Sequence, residues 1–163
     1  MRRNIGDIYT VHLPGDSLGF MQHIANDKSQ LGSNVVRIFG IIQAKGEAVD
    51  LEKIAESQVK FYAHVLLRAG ETLDVWEKIG RINKVSASIP LWCQCNEDGN
   101  WSRDLVSYNW VVWQTNGPRI PAVLDSKDFL EAELGDAFSP NSIRTRLFDG
   151  KYGGVYPRKP DTK

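Results

Sequence analysis

The side chains best suited to chemistry in this chain are three histidines, His12, His23 and His64, and two cysteines, Cys93 and Cys95. Each histidine falls in a strand-like stretch. None lies in an HExxH pattern, in an HxE with a downstream CxxC, or with a GxSxG serine, the spacings that metal-assisted and nucleophilic hydrolysis use. His12 and His23 flank the first hairpin, which reads as cross-strand register rather than as a metal site. Cys93 and Cys95 point the same way along an extended segment, with Cα atoms roughly 6.6 Å apart, near the upper limit for a disulfide. They read as two reduced, apolar thiols on a core face. A zinc site would need two further ligands that no spacing supplies. Cys93 shares its face with Leu91, and burial without a neighbouring base makes a thiol inert.

Carboxylate pairs occur at Glu97-Asp98 and at Glu131 with Glu133. Paired catalytic acids need a cleft that pushes their pKa values apart, and these sit in polar contexts that leave them solvated. Gly150-Lys151-Tyr152 lacks the upstream glycine and the hydroxyl of a phosphate-cradling loop. No catalytic residue, metal or cofactor is therefore expected. An enzymatic alternative would have to assemble its site from scattered residues such as His64, Cys93 and Asp104.

The aromatic residues say more. Of five tryptophans, Trp76 and Trp110 read as core. Trp101 differs, because Asp98-Gly99-Asn100-Trp101-Ser102-Arg103-Asp104 surrounds it with polar residues. A large ring on a polar loop is either a binding anchor or a lid folded back over a sheet edge. With Glu97, Asp98 and Asp104 the loop offers three carboxylates against Arg103 alone. That suits a basic partner surface, such as the substrate groove of a nuclease, where acidic groups stand in for phosphates. Glu97, Asp98, Trp101 and Asp104 are the candidate partner-binding residues.

The elements that must carry these residues are mostly strands. Gly6 to Leu13 and Leu18 to Ile24 alternate around a Pro14-Gly15-Asp16 turn and read as a hairpin. Val35 to Ile42 is a buried strand rich in β-branched residues. Asp50 can cap a short helix with Leu51, Ile54 and Ala55 on one face. Val59 to Leu67 alternates as a strand with Val59, Phe61, Ala63, Val65 and Leu67 on one side. Glu71 to Gly80 fits a helical turn or a strand. Ile89 to Cys95 and Val106 to Trp113 read as strands joined by the Asp98-Gly99 loop, and a last strand runs near Ile120 to Leu124. Asp125 or Ser126 can cap a helix ending at Gly135, and Ser139-Pro140 opens another that Asp149-Gly150 closes. The fold class is α+β and mainly β. It reads as one twisted antiparallel sheet, open or partly closed into a barrel, with short helices and a helical C-terminal part.

The 163 residues suit one domain, taken as 1–152, followed by a basic tail over 153–163. Formal charge is zero, so composition offers no general attraction to nucleic acid or anionic lipid. From Arg144 onward, however, six Lys/Arg stand against two Asp, a pattern that reads as a solvated basic terminus. A nucleic-acid-binding module using that tail and exposed aromatics is a further alternative. No apolar run is long enough to span a bilayer, and the basic start has no apolar stretch behind it. A cytoplasmic protein is expected.

Gly6-Asp7-Ile8-Tyr9-Thr10-Val11-His12-Leu13-Pro14, followed by Leu18-Gly19-Phe20, resembles the opening of the immunity protein 26 family of bacterial polymorphic toxin systems. Trp76-Glu77-Lys78-Ile79-Gly80 is similar to that family's Trp-x-x-Ile-Gly element, and Pro90-Leu91-Trp92 follows in a matching place. The resemblance covers residues 6 to 95. Met21 departs from it, since members resembling this chain tend to carry a small residue there. It implies a mainly β fold, no enzymatic activity, and binding to a cognate toxin in the cytoplasm. It assigns no contact residues.

Overall fold

The computed structural model describes residues 2–85, 92–95, 106–154 and 156–160, and of 93–95 the backbone alone. The first hairpin forms as its alternation predicts. Strand β1 (Asp7–Leu13) pairs antiparallel with β2 (Ser17–Asp27) across a turn with Gly15 and Asp16 at positive φ. Strand β3 (Ser33–Ala44) continues the sheet beyond β2, and β4 (Val59–Val65) beyond β3. On the other side β5 (Trp76–Arg81) pairs with β1, so the ambiguous Glu71–Gly80 stretch is the end of a helix to Thr72, a turn, and a strand from Trp76.

Helix α1 (Leu51–Glu56) sits between β3 and β4, with the Asp50 carboxylate accepting from the Lys53 amide as its cap. Helix α2 (Leu67–Thr72) links β4 to β5. The expected strand to Leu67 therefore stops at Val65. The apolar alternation misleads here because Leu67 is buried in the same core either way, while its amide turns to donate to Asn34 Oδ1 at 3.2 Å. Val59 was expected beside Phe61 and instead packs with the opposite cluster. The β3–β4 register slips there: Ile38 faces Phe61 but Phe39 faces Val59. Lys60 is the extra residue, and a bulge of one residue reverses the side that follows it.

The remaining chain corrects the single-sheet expectation. Strands β6 (Trp92–Cys95), β7 (Trp110–Trp113), β8 (Ile120–Pro121) and β9 (Glu133–Leu134) form a second sheet in the order β8-β7-β6-β9. The main sheet gains β10 (Ala137–Phe138), giving the order β10-β4-β3-β2-β1-β5, and it is not closed. Among the described residues two strand pairings are parallel, β10 with β4 and β6 with β9, so the sheets are mixed rather than antiparallel throughout. The expected Val106–Trp113 strand is regular only from Trp110. Before it, the Ser107 hydroxyl accepts from the Asn109 amide and the Trp110 indole donates to Ser107 O at 2.6 Å. Such local bonds compete with a ladder. The strand expected over Ile120 to Leu124 is reduced to Ile120–Pro121.

Helix α3 (Lys127–Glu131) is capped by Ser126 but ends well before Gly135, giving way to β9. Helix α4 (Pro140–Asp149) matches its sequence signals. Ser139 caps it, Pro140 opens it, and Gly150 ends it at φ 81°, a left-handed conformation costly for other residues.

One face of the main sheet, with Tyr9, Val11, Met21, Val36, Ile38, Phe61 and Ala63, lies under Ile143 and Leu147 of α4, Leu67 of α2, and Trp76. The other face divides. At one end Ile8, Phe20 and Phe39 meet Ile54 and Ala55 of α1. At the other, Ile24, Ala25 and Val35 meet Trp92 and Trp113 of the second sheet. Between these clusters Arg37 Nε donates to Gln22 Oε1 at 2.8 Å, and Arg37 Nη2 reaches Ala55 O and Lys84 O. This buried clamp fixes the α1 end and the segment leaving β5 against the sheet.

The C-terminal charges, expected to be solvated, are partly held. Lys159 Nζ donates to Phe129 O at 2.7 Å and Ala132 O at 2.9 Å and stands over the Phe129 ring. Arg158 bridges to Val106 through the backbone, and Tyr156 packs on the core.

Candidate partner-binding surface

The structure gathers one histidine cluster that composition did not announce. Adjacent strands put Ser33 at the start of β3, His64 near the end of β4 and Asp27 at the end of β2. Ser33 Oγ lies 2.9 Å from His64 Nδ1, and Asp27 Oδ2 lies 3.9 Å from the same nitrogen. A Ser-His-Asp relay needs serine and acid on opposite ring nitrogens. Here both face Nδ1, and Nε2 has no hydrogen-bond partner among the described residues. The Trp92 ring stands edge-on to the imidazole at 4.2 Å. His64 is fully buried, and that burial outweighs the attraction of Asp27, lowering its pKa from 6.5 to about 4. Asp27 is otherwise engaged, its Oδ1 accepting from the Ser29 and Gln30 amides. The cluster is sealed from solvent and holds its imidazole neutral, which suits a structural part.

The other histidines stand apart. His12 Nδ1 lies 2.9 Å from Asp74 O, and His23 Nδ1 lies 2.9 Å from Asn4 O. Among the described residues no group of three or more His, Cys, Asp or Glu is placed to hold a metal. Cys93 and Cys95 lie in β6 opposite Val112 and Trp110; their thiols fall outside the description, as does Asp104.

Glu97, Asp98, Trp101 and Asp104 lie outside the described residues. What is described is the frame on either side of them. Strands β6 and β7 pair over four residues, and Trp92, Trp110 and Trp113 are buried. Residues 106–109 lead into that packed sheet at Trp110.

A second surface, which the sequence reading passed over, is the corner between α2 and β5. Leu66 and Leu73 bracket α2 and are 51% and 61% exposed. Asp74 follows at φ 53°, a conformation that costs a non-glycine residue roughly 1–2 kcal/mol. The turn is braced from below. The Val75 amide donates to Gly70 O, the His12 amide donates to Val75 O, and the Trp76 indole donates to Leu67 O at 2.8 Å. Gly70 lies flat on the Trp76 ring, leaving no room for a Cβ. Exposed Glu77 stands beside the turn, while Glu71 is paired with Arg3. An exposed leucine and an exposed acid on a rigid turn lose little entropy when covered. In the sequence Leu73 shares a spacing of three with Trp76 and Ile79, which fits a helical turn, so nothing local marks it as an exposed turn residue.

The family model described as Immunity protein 26 matches residues 4–99. The chain belongs to the immunity protein 26 family. The match takes in β1 to β5, both helices between them, the α2–β5 corner and β6. Nothing matches the chain among the curated proteins or the solved structures. Beyond residue 99, β10 adds to β4 and α4 covers the β1–β4 face. Within the family-matched residues, nine Lys/Arg stand against twelve Asp/Glu. No helix among the described residues is long and apolar enough to cross a membrane.

Proposed function

We propose that this chain is a non-enzymatic, cytoplasmic immunity protein of a bacterial polymorphic toxin system, which binds a cognate toxin and neutralises it. The observation that carries the reading is the family match over residues 4–99. The charge of the matched residues supports a basic toxin. An acidic balance in the matched part suits a basic partner, and a nuclease has a basic groove because its substrate is a polyanion.

The contact surface includes the loop of Glu97, Asp98, Trp101 and Asp104. Its support is the packed β6–β7 pair at its base, which lowers the ordering cost of binding, and its tryptophan, a residue type enriched at hot spots. The α2–β5 corner, with Leu73 and Asp74, is a second contact of the same character.

The test is co-purification with the toxin encoded beside this gene, followed by affinity measurements on a Trp101→Ala, Asp98→Ala double variant and a Leu73→Ala, Asp74→Ala double variant. Loss of about 2 kcal/mol or more in the loop variant, with an affinity that also weakens as salt is added, supports site and charge together. A folded loop variant that binds as the parent does removes the loop from the interface. A protein that captures no toxin in either form removes the reading.

A further inference from the structure

Beyond the family-matched residues the C-terminal part encloses a cleft of about 660 Å³ between β9, α4 and the segment after it. Its size is within the range of small-ligand sites. Five residues of its lining carry the argument: Glu133, Arg146, Lys151, Tyr152 and Arg158.

Arg146 is the built element. Its guanidinium lies over the Phe61 ring at 4.0 Å and the Tyr152 ring at 4.5 Å, and Tyr152 is itself stacked on Phe138 with centroids 3.7 Å apart. Nη1 is used: it donates to Glu133 Oε2 at 2.8 Å and to Tyr152 OH at 2.7 Å. Glu133 is fixed in turn, because Oε1 accepts from the Tyr62 amide. Nε and Nη2 donate to no described residue, although the side chain is 19% exposed and lines the cleft. A guanidinium held by aromatic faces, with one edge unspent, presents a fork to an oxyanion. Exposed Lys151 and Arg158 stand on the rim and form no ion pair among the described residues. Three cations against one carboxylate, already neutralised by Arg146, leave the cleft positive.

We infer that this cleft binds a phosphate group, with Arg146 Nε and Nη2 as the orienting fork and Lys151 and Arg158 as the charged rim. The shared chemistry is the phosphate; its source is either free inorganic phosphate or a phosphate monoester.

Calorimetric titration of the whole chain with inorganic phosphate and with adenosine monophosphate, against sodium chloride at matched ionic strength, tests this. Saturable one-to-one binding is expected. Tighter binding of adenosine monophosphate assigns the site to monoesters, and equal or weaker binding assigns it to free phosphate; both uphold the site. The Lys151→Ala, Arg158→Ala variant, which alters two exposed side chains, should bind about tenfold or more weakly, since hydrogen bonds to charged groups are lost. Arg146→Lys keeps the charge and removes the fork, so it should weaken binding while circular dichroism stays unchanged. Heats that match the chloride control, or binding unaltered in the folded rim variant, would overturn the assignment.

Discussion

Acidification should destabilise this protein in part through His64. The imidazole is fully buried between β2, β3 and the Trp92 ring, with Ser33 Oγ at 2.9 Å and Asp27 as the charged group facing it. Its pKa in the folded chain is lowered from 6.5 to about 4 by burial, against the opposing pull of Asp27. The folded state therefore holds fewer protons at this site than the unfolded state between those two values. Stability contributed by the neutral imidazole is complete above about pH 6.5, falls as pH drops, and is gone below about pH 4. At about 1.4 kcal/mol per pH unit, that window is worth about 3 kcal/mol, a large share of a small domain's stability. The assay is urea unfolding at half-unit steps from pH 7.5 to 4.0 for the parent and a His64→Gln variant. Glutamine does not titrate and keeps an acceptor for the Ser33 hydroxyl, so carboxylate titration elsewhere cancels in the difference. The two stabilities should converge by about 3 kcal/mol as pH falls. Curves that stay parallel, whatever their separation, would show that His64 does not couple folding to pH.

Two further substitutions probe the frame around the candidate surface. Gly70→Ala drives a methyl into the Trp76 ring beneath the α2–β5 corner; overpacking of this kind should cost about 1–3 kcal/mol, read as a lowered Tm. Ser139→Ala removes the side chain that accepts from the Ser142 amide at the start of α4 and should cost about 1 kcal/mol in chemical unfolding, with the circular dichroism spectrum otherwise unchanged.

Features written in short stretches of sequence were legible. The β1–β2 hairpin, the Asp50 cap and the Ser139-Pro140 to Gly150 helix each depend on residues a few positions apart, and each forms. Pairings between distant residues were not legible. Ala137 beside His64 and Glu133 beside Trp92 are short parallel contacts that no local period announces. They explain why one sheet was expected where there are two. The slip at Lys60 shows the same limit on a smaller scale, since a bulge depends on the partner strand as much as on its own residues. The Ser33–His64–Asp27 cluster was hidden for a related reason. Its members come from three strands, and each alone reads as an ordinary strand or turn residue. The acidic tryptophan loop was legible as a candidate because its polarity and its ring are local facts. The α2–β5 corner was missed because its rigidity comes from Trp76 packing under Gly70 and from β1 hydrogen bonding to Val75.

On the proposed function, this member of the immunity protein 26 family acts by occupying its toxin rather than by altering it. The most direct measurement titrates the purified chain against a fixed concentration of the purified cognate toxin, well above the dissociation constant, and follows toxin activity. Stoichiometric binding predicts a linear loss that reaches zero at one chain per toxin, with full activity recovered when the complex is separated under denaturing conditions and the toxin refolded. Complete inactivation by a small fraction of an equivalent, growing with time and persisting after separation, would show turnover instead of occupancy.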